Sequence, residues 1–157
     1  MDAFSEALGA VRITGALFLH SELTAPWGFA SPDAREAGRR LSLPAEHLVL
    51  FHLVTEGRAT ARVEGHADVT LEAGDVVIFP GGDAHRLWNG RVAQLVDTTS
   101  LLPKILSGSL ALERGGGGGR PTRLVCGYFG CERYAGRLFL AGLPPVLKVH
   151  VRGSPSG

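Results

Sequence analysis

The chain has little that would staple it, anchor it or pull it onto nucleic acid. Its 157 residues include two cysteines, Cys126 and Cys131, too few for a disulfide framework and kept reduced in a cytoplasmic setting. Sixteen Lys and Arg against 15 Asp and Glu leave a net charge of +1, without the basic face or stripe of an autonomous nucleic-acid binder. No apolar run reaches the roughly 18 residues of a membrane span. The opening Met1–Glu6 lacks the basic flank and apolar core of a signal peptide, and there is no internal repeat. These absences point to one soluble, cytoplasmic domain, long enough to bury roughly two-thirds of its unfolded surface.

Glycine, by contrast, is abundant: 22 residues, about twice ordinary usage. Five form the run Gly115–Gly119, which reads as a mobile loop. It lacks the Lys-Ser/Thr ending of a phosphate loop. The others punctuate short apolar segments. His47–Val54 is nearly continuous apolar, the mark of a buried strand. Strands are also expected over Arg58–Glu64, Val69–Leu71, Asp75–Phe79, Arg86–Trp88, Val92–Asp97 and Thr122–Cys131. Their spacing predicts an all-β sandwich or small antiparallel barrel. A short helix bearing Phe4, Leu8 and Val11 on one face is expected at the N-terminus. Another is expected over Tyr134–Leu143, stopped by Pro144-Pro145. Residues 31–41 read as an exposed loop or single turn, and Arg152–Gly157 as linker.

The informative stretch is Gly74–Asn89, GDVVIFPGGDAHRLWN, which fits G-x5-P-x-G-x2-H-x3-N without a gap. Gly74 permits a tight entry turn, and Pro80 with Gly82 shapes a bend that aims His85 inward. This stretch resembles the second motif of the cupin family. The resemblance implies a cupin-type antiparallel β-barrel (jelly roll) over residues about 12 to 131, with short flanking helices. It also implies a ligand position at His85. In the first motif this chain departs from the pattern. Metal-binding cupins carry H-x-H and then a glutamate seven residues before the glycine matched here by Gly57. Here the glutamate position is Leu50, and 43–46 contains no histidine. His52, two residues after Leu50, shares its face by strand alternation.

Further segments are similar to the N-terminal cupin of AraC-type transcription regulators. They are Gly15–Phe18, Ala25–Gly28, Phe51–Gly57, Leu71–Pro80, Asp83–Leu87, Thr122–Cys131 and Leu143–Leu147. The likeness runs over residues 3 to 149. It implies a sensor domain over 1–151 with the start of a linker at 152–157. The two helix-turn-helix motifs that read DNA in that family have no counterpart in this chain. The implied partners are a small-molecule effector or an oxidant, and DNA only through that missing domain; a homodimer is expected because isologous dimers are the commonest assembly. The segment by itself is not expected to bind DNA specifically, and no membrane partner is implied.

His52, His85, Cys126 and Cys131 are the candidate metal ligands. Two neutral imidazoles and two thiolates suit tetrahedral Zn2+. A closed four-ligand site leaves no position for substrate, so the expected role is structural or redox-sensitive, and not enzymatic. Two thiols five positions apart face opposite sides of an ideal strand, so convergence requires a bulge, for which Gly127 and Gly130 are the sites. Each residue also has a plainer reading: a hydrogen-bonded core histidine, a small buried cysteine, or a thiol switched by oxidation. His20, His47, His66 and His150 show no partner spacing. Asp75 is expected to fix a turn through its side chain, and Trp27 and Trp88 to pack in the core or at its rim. The sequence reads as a ligand- or redox-sensing domain. A small metal-dependent dioxygenase or isomerase is the alternative, disfavoured by Leu50 and by the missing H-x-H.

Overall fold

The alternation of apolar and polar residues between glycine turns resolves into two facing sheets. A computed structural model describes residues 13–40, 47–91, 95–97, 112–132, 134, 138, 140 and 142–151. In chain order the elements are β1 (Ile13–Thr24), β2 (Trp27–Ser31), α1 (Ala34–Arg40), β3 (His47–Glu56), β4 (Arg58–Arg62) and β5 (Val69–Glu72). They continue as β6 (Asp75–Phe79), β7 (His85–Asn89), β8 (Val96–Asp97), β9 (Glu113–Gly116), β10 (Pro121–Cys131) and β11 (Leu147–His150). One sheet has the order β11-β6-β3-β10-β1-β9 and the other β5-β4-β7-β2-β8. Neighbours are antiparallel except β1 with β9 and β2 with β8.

Strand alternation sorts β3, β6 and β10 into two faces. Leu48, Leu50, Val54, Val77, Phe79, Leu124 and Tyr128 face the second sheet and pack with Trp27, Ala59, Ala61, Leu71 and Leu87. The opposite residues, Val49, Ile78 and Cys131, form a second buried cluster with Leu140, against which Phe51, Phe129, Leu143 and Leu147 pack. The first cluster fills the space between the sheets. The second covers the outer side of the six-stranded sheet.

The expected all-β architecture is present, and the strand at Asp75–Phe79 has the bounds read from sequence. Three expectations are corrected. Residues 34–40 form a two-turn helix, not a loop: the Asp33 carboxylate accepts from the Glu36 amide at 2.9 Å and caps the N-terminus. The chain after Pro145 adds an edge strand, β11, antiparallel to β6.

The glycine run is not free loop either. Gly115 and Gly116 complete β9 beside Leu23 and Thr24 of β1. The Gly117 amide donates to the Thr24 carbonyl and the Gly119 amide to that of Ala25, each at 2.8 Å. The Gly118 amide donates to Thr24 Oγ1 at 2.8 Å. Absence of side chains makes this approach possible: a Cβ on Gly116 (φ +111°) would lie 2.0 Å from the Thr24 carbonyl oxygen, and one on Gly117 would lie 2.4 Å from Pro26 Cδ.

The expected N-terminal helix, the linker at 152–157 and residues 92–94 of the expected sixth strand lie outside the described residues. Of the expected helix at Tyr134–Leu143, Tyr134 and Leu138 are helical, and several positions between lie outside the described set.

Candidate functional site

Two strands from different sheets bring the two predicted histidines together. His52 lies mid-way along β3 and is 5% exposed; His85 opens β7 and is 3% exposed. The bend before β7 depends on Gly82 (φ +71°), where a Cβ would lie 2.2 Å from Ala34 Cβ and 3.0 Å from the Leu48 carbonyl oxygen. The Gly82 amide closes the turn onto the Phe79 carbonyl at 2.9 Å. A ring N–H of His47 donates to the Pro80 carbonyl at 2.6 Å, tying β3 to the same bend. His47 thus has a partner that its sequence spacing did not disclose.

The hydrogen bonds fix both tautomers. His85 Nδ1–H donates to the Asp83 carbonyl oxygen at 2.9 Å, which leaves Nε2 as an acceptor in the neutral ring. His52 Nε2–H then donates to His85 Nε2 at 2.6 Å, which leaves His52 Nδ1 as a bare acceptor. Both rings are held neutral. Burial, reinforced by His85, drives the His52 pKa well below its usual 6.5. Burial pulls His85 down to about 4, although the Asp83 carbonyl favours its charged form. Phe79 stacks on His85 with centroids 3.7 Å apart and planes 10° apart, and Phe29 and Phe79 flank His52 at 5.4 and 6.0 Å.

Cys126 lies in register with His52 across β10 and β3 and packs against the same interior. Burial pushes its thiol up to about 12, so it stands protonated at neutral pH. Cys131 does not join it. The β10–β3 register runs without interruption from Cys126 to Cys131, and the irregularity near Cys131 falls in β1, between Ile13 and Gly15. Without a bulge in β10, the odd spacing sends Cys131 to the outer cluster, where Sγ–H donates to the His47 carbonyl at 3.3 Å.

The four predicted ligands are therefore not brought together: His52, His85 and Cys126 share the interior, and Cys131 lies on the other face. Five residues of extended strand span roughly 17 Å, whereas two thiolates on one zinc, each at about 2.3 Å, lie within about 5 Å of each other. Among the described residues no three His, Cys, Asp or Glu side chains are grouped to hold a metal ion. The two imidazoles converge through their Nε2 atoms, 2.6 Å apart. Leu50, 5% exposed, occupies the interior position where the first motif would place a carboxylate.

What the interior does offer is hydrogen-bonding capacity. His52 Nδ1 and the Tyr128 hydroxyl are buried without a protein partner. The nearby Trp27 indole N–H, by contrast, donates to Thr122 Oγ1, which donates to the Arg58 carbonyl. An unpaired buried polar atom costs about 1–3 kcal/mol and is rare in folded interiors. Tyr128 escaped the sequence reading; its signal was the two-residue step from Cys126, which puts both on the inner face of β10.

A family model described as cupin matches residues 2–157. The chain belongs to the cupin family. No curated protein matches it in sequence. Among solved structures the cupin is similar to unsaturated fatty acid-bound ToxT from Vibrio cholerae, at 13% identity and a TM-score of 0.44, covering 88% of this chain and 42% of ToxT. It is also similar to YhaK from Escherichia coli, at 11% identity and a TM-score of 0.43, covering 95% of this chain and 54% of YhaK. The chain thus spans about half the length of these proteins or less. No helix among the described residues is long and apolar enough to cross a membrane.

Proposed function

We propose that this cupin is the effector-sensing domain of an AraC-type transcription regulator, acting on DNA through a separate helix-turn-helix segment. The observation that carries the reading is that two buried polar atoms, His52 Nδ1 and Tyr128 OH, have no protein partner. A small, largely apolar molecule with a hydrogen-bond donor for the neutral imidazole would satisfy the first, and an acceptor or donor on it the second. The resemblance of the sequence to the AraC-type sensor cupin supplies the regulatory context.

Ligand sensing is favoured over oxidant sensing. A disulfide needs Cα atoms within about 7 Å, and Cys126 and Cys131 face opposite sides of one continuous strand. A metal-dependent enzyme is the alternative. Leu50 removes the acid-base carboxylate, and the histidines are engaged with each other instead of presenting two lone pairs to an ion.

Thermal-shift screening of the purified chain against neutral small molecules, with elemental analysis of the same preparation, tests it. The expected result is a stabilising compound whose effect is lost in His52→Phe and Tyr128→Phe while both variants remain folded. Deletion of the gene should alter transcription of a restricted set of genes. Stoichiometric metal together with oxygenase or isomerase turnover would overturn the reading.

A further inference from the structure

The end of the molecule away from the histidines holds a second feature, independent of the sensor reading. β3 runs from His52 to Glu56 and β7 from His85 to Asn89, so each carries the chain roughly 13 Å from the histidine pair. There the β1–β2 and β3–β4 turns and the start of β10 enclose a cleft of about 550 Å³, lined by Ala25, Glu56, Gly57, Arg58, Asn89, Arg120 and Pro121. Its size is that of a small-molecule site.

The charges in the cleft are unbalanced. The Glu56 carboxylate is taken up by Arg123, whose Nε lies 3.2 Å away, and Arg123 also reaches Glu22 at 3.4 Å. The guanidiniums of Arg58 and Arg120 have no ion-pair partner among the described residues. Their backbones are fixed: the Arg58 carbonyl accepts from Thr122 Oγ1 at 2.9 Å, and the Arg120 carbonyl from the Ala25 amide at 2.9 Å. Two arginines with fixed backbones lining one cleft, together with Asn89, make a donor set suited to a planar or tetrahedral oxyanion. Asn89 is also the last residue of the G-x5-P-x-G-x2-H-x3-N stretch, and the histidine site makes no use of it.

We infer that this cleft binds a small oxyanion-bearing molecule, a carboxylate or a phosphate ester, through Arg58, Arg120 and Asn89. Carboxylate and phosphate share the chemistry that two guanidinium forks recognise. Which one the cleft prefers is decided by comparing probes.

Isothermal titration calorimetry of the whole chain with citrate and with glycerol 3-phosphate, using glycerol as the uncharged control, tests the inference. Saturable binding of at least one anion, and none of glycerol, is expected. Arg58→Gln and Arg120→Gln should each weaken it roughly tenfold or more. Arg39→Gln, on the exposed face of α1, should leave it unchanged. Arg58→Lys separates a charge effect from a fork effect: it should recover part, not all, of the affinity. Far-ultraviolet circular dichroism of each variant confirms the fold, and Arg58→Lys carries the test if a glutamine variant fails to fold. Absence of saturable binding by either anion, or binding that survives both glutamine substitutions, overturns the inference. A positive result with no transcriptional role would leave this site standing and remove the sensor reading, so the two fail separately.

Discussion

Two histidine pairs in this cupin show how surroundings decide what an imidazole does. His52 and His85 meet between the sheets, flanked by aromatic rings, with no charge to share. His150 meets Asp75 at the edge of the six-stranded sheet, with its Nδ1 2.8 Å from Asp75 Oδ1 and its side chain 59% exposed. The first pair is held neutral by burial. In the second, burial alone would raise the Asp75 pKa, but the Glu72 amide, the His150 imidazole and the Lys148 ammonium outweigh it and hold the carboxyl below its usual value. The interior pair offers hydrogen bonds to a neutral guest. The edge pair clasps β11 to β6, a clasp continued by the Val151 amide on the Gly74 carbonyl at 2.7 Å.

The sharpest separation of the two pairs is by acid. His85 has a folded pKa of about 4 against 6.5 unfolded, so below pH 6.5 the unfolded chain binds a proton that the native one refuses. Stability should therefore fall from pH 6.5 down to about 4, by roughly 3 kcal/mol for His85 alone, with His52 adding in the same direction. Asp75 works in a lower window: its contribution is full above the unfolded 3.8 and is lost only as pH falls through its depressed folded value. Urea unfolding at pH 7, 5.5 and 4.5 checks this. A flat profile across that range would contradict the neutral, buried pair.

Truncation gives the next largest effect. His85→Ala strands the His52 Nε2–H donor and removes the ring stacked on Phe79, a loss of about 3 kcal/mol measurable at the urea midpoint. Asp75→Ala should cost about 1–2 kcal/mol, because the Glu72 amide and His150 lose their acceptor together. His150→Ala, at an exposed pair, should cost no more than about 1 kcal/mol. Equal losses at His85 and His150 would mean that the two environments do not differ as their burial states.

The candidate site was legible in part. Strand alternation put His52 on the face of Leu50, and the G-x5-P-x-G-x2-H-x3-N spacing aimed His85 inward; both lie between the sheets. Parity also warned that Cys126 and Cys131 would diverge. The bulge invoked to reunite them does not occur in β10, because its pairing with β3 is continuous there. Asp75 fixes the turn as expected, its Oδ2 accepting from the Glu72 amide at 2.8 Å. Its second partner, His150, lies 75 residues away and left no local trace. Tyr128 was readable as an inward residue, but not as one whose hydroxyl lacks a partner.

The glycine run shows the same boundary from the other side. Composition made Gly115–Gly119 flexible in isolation, and only the passage of Thr24, Ala25 and Pro26 alongside turned that freedom into close backbone contact. What the sequence determined by itself was local and periodic: where strands begin and turn, which residues share a face, and that Leu50 supplies no carboxylate. Those follow from the two-residue period of an extended chain and from the conformations that glycine and proline allow. What only the tertiary structure decided was which inward atoms meet and which find no partner. That depends on how two sheets close on each other, through contacts between residues tens of positions apart whose register no local pattern encodes.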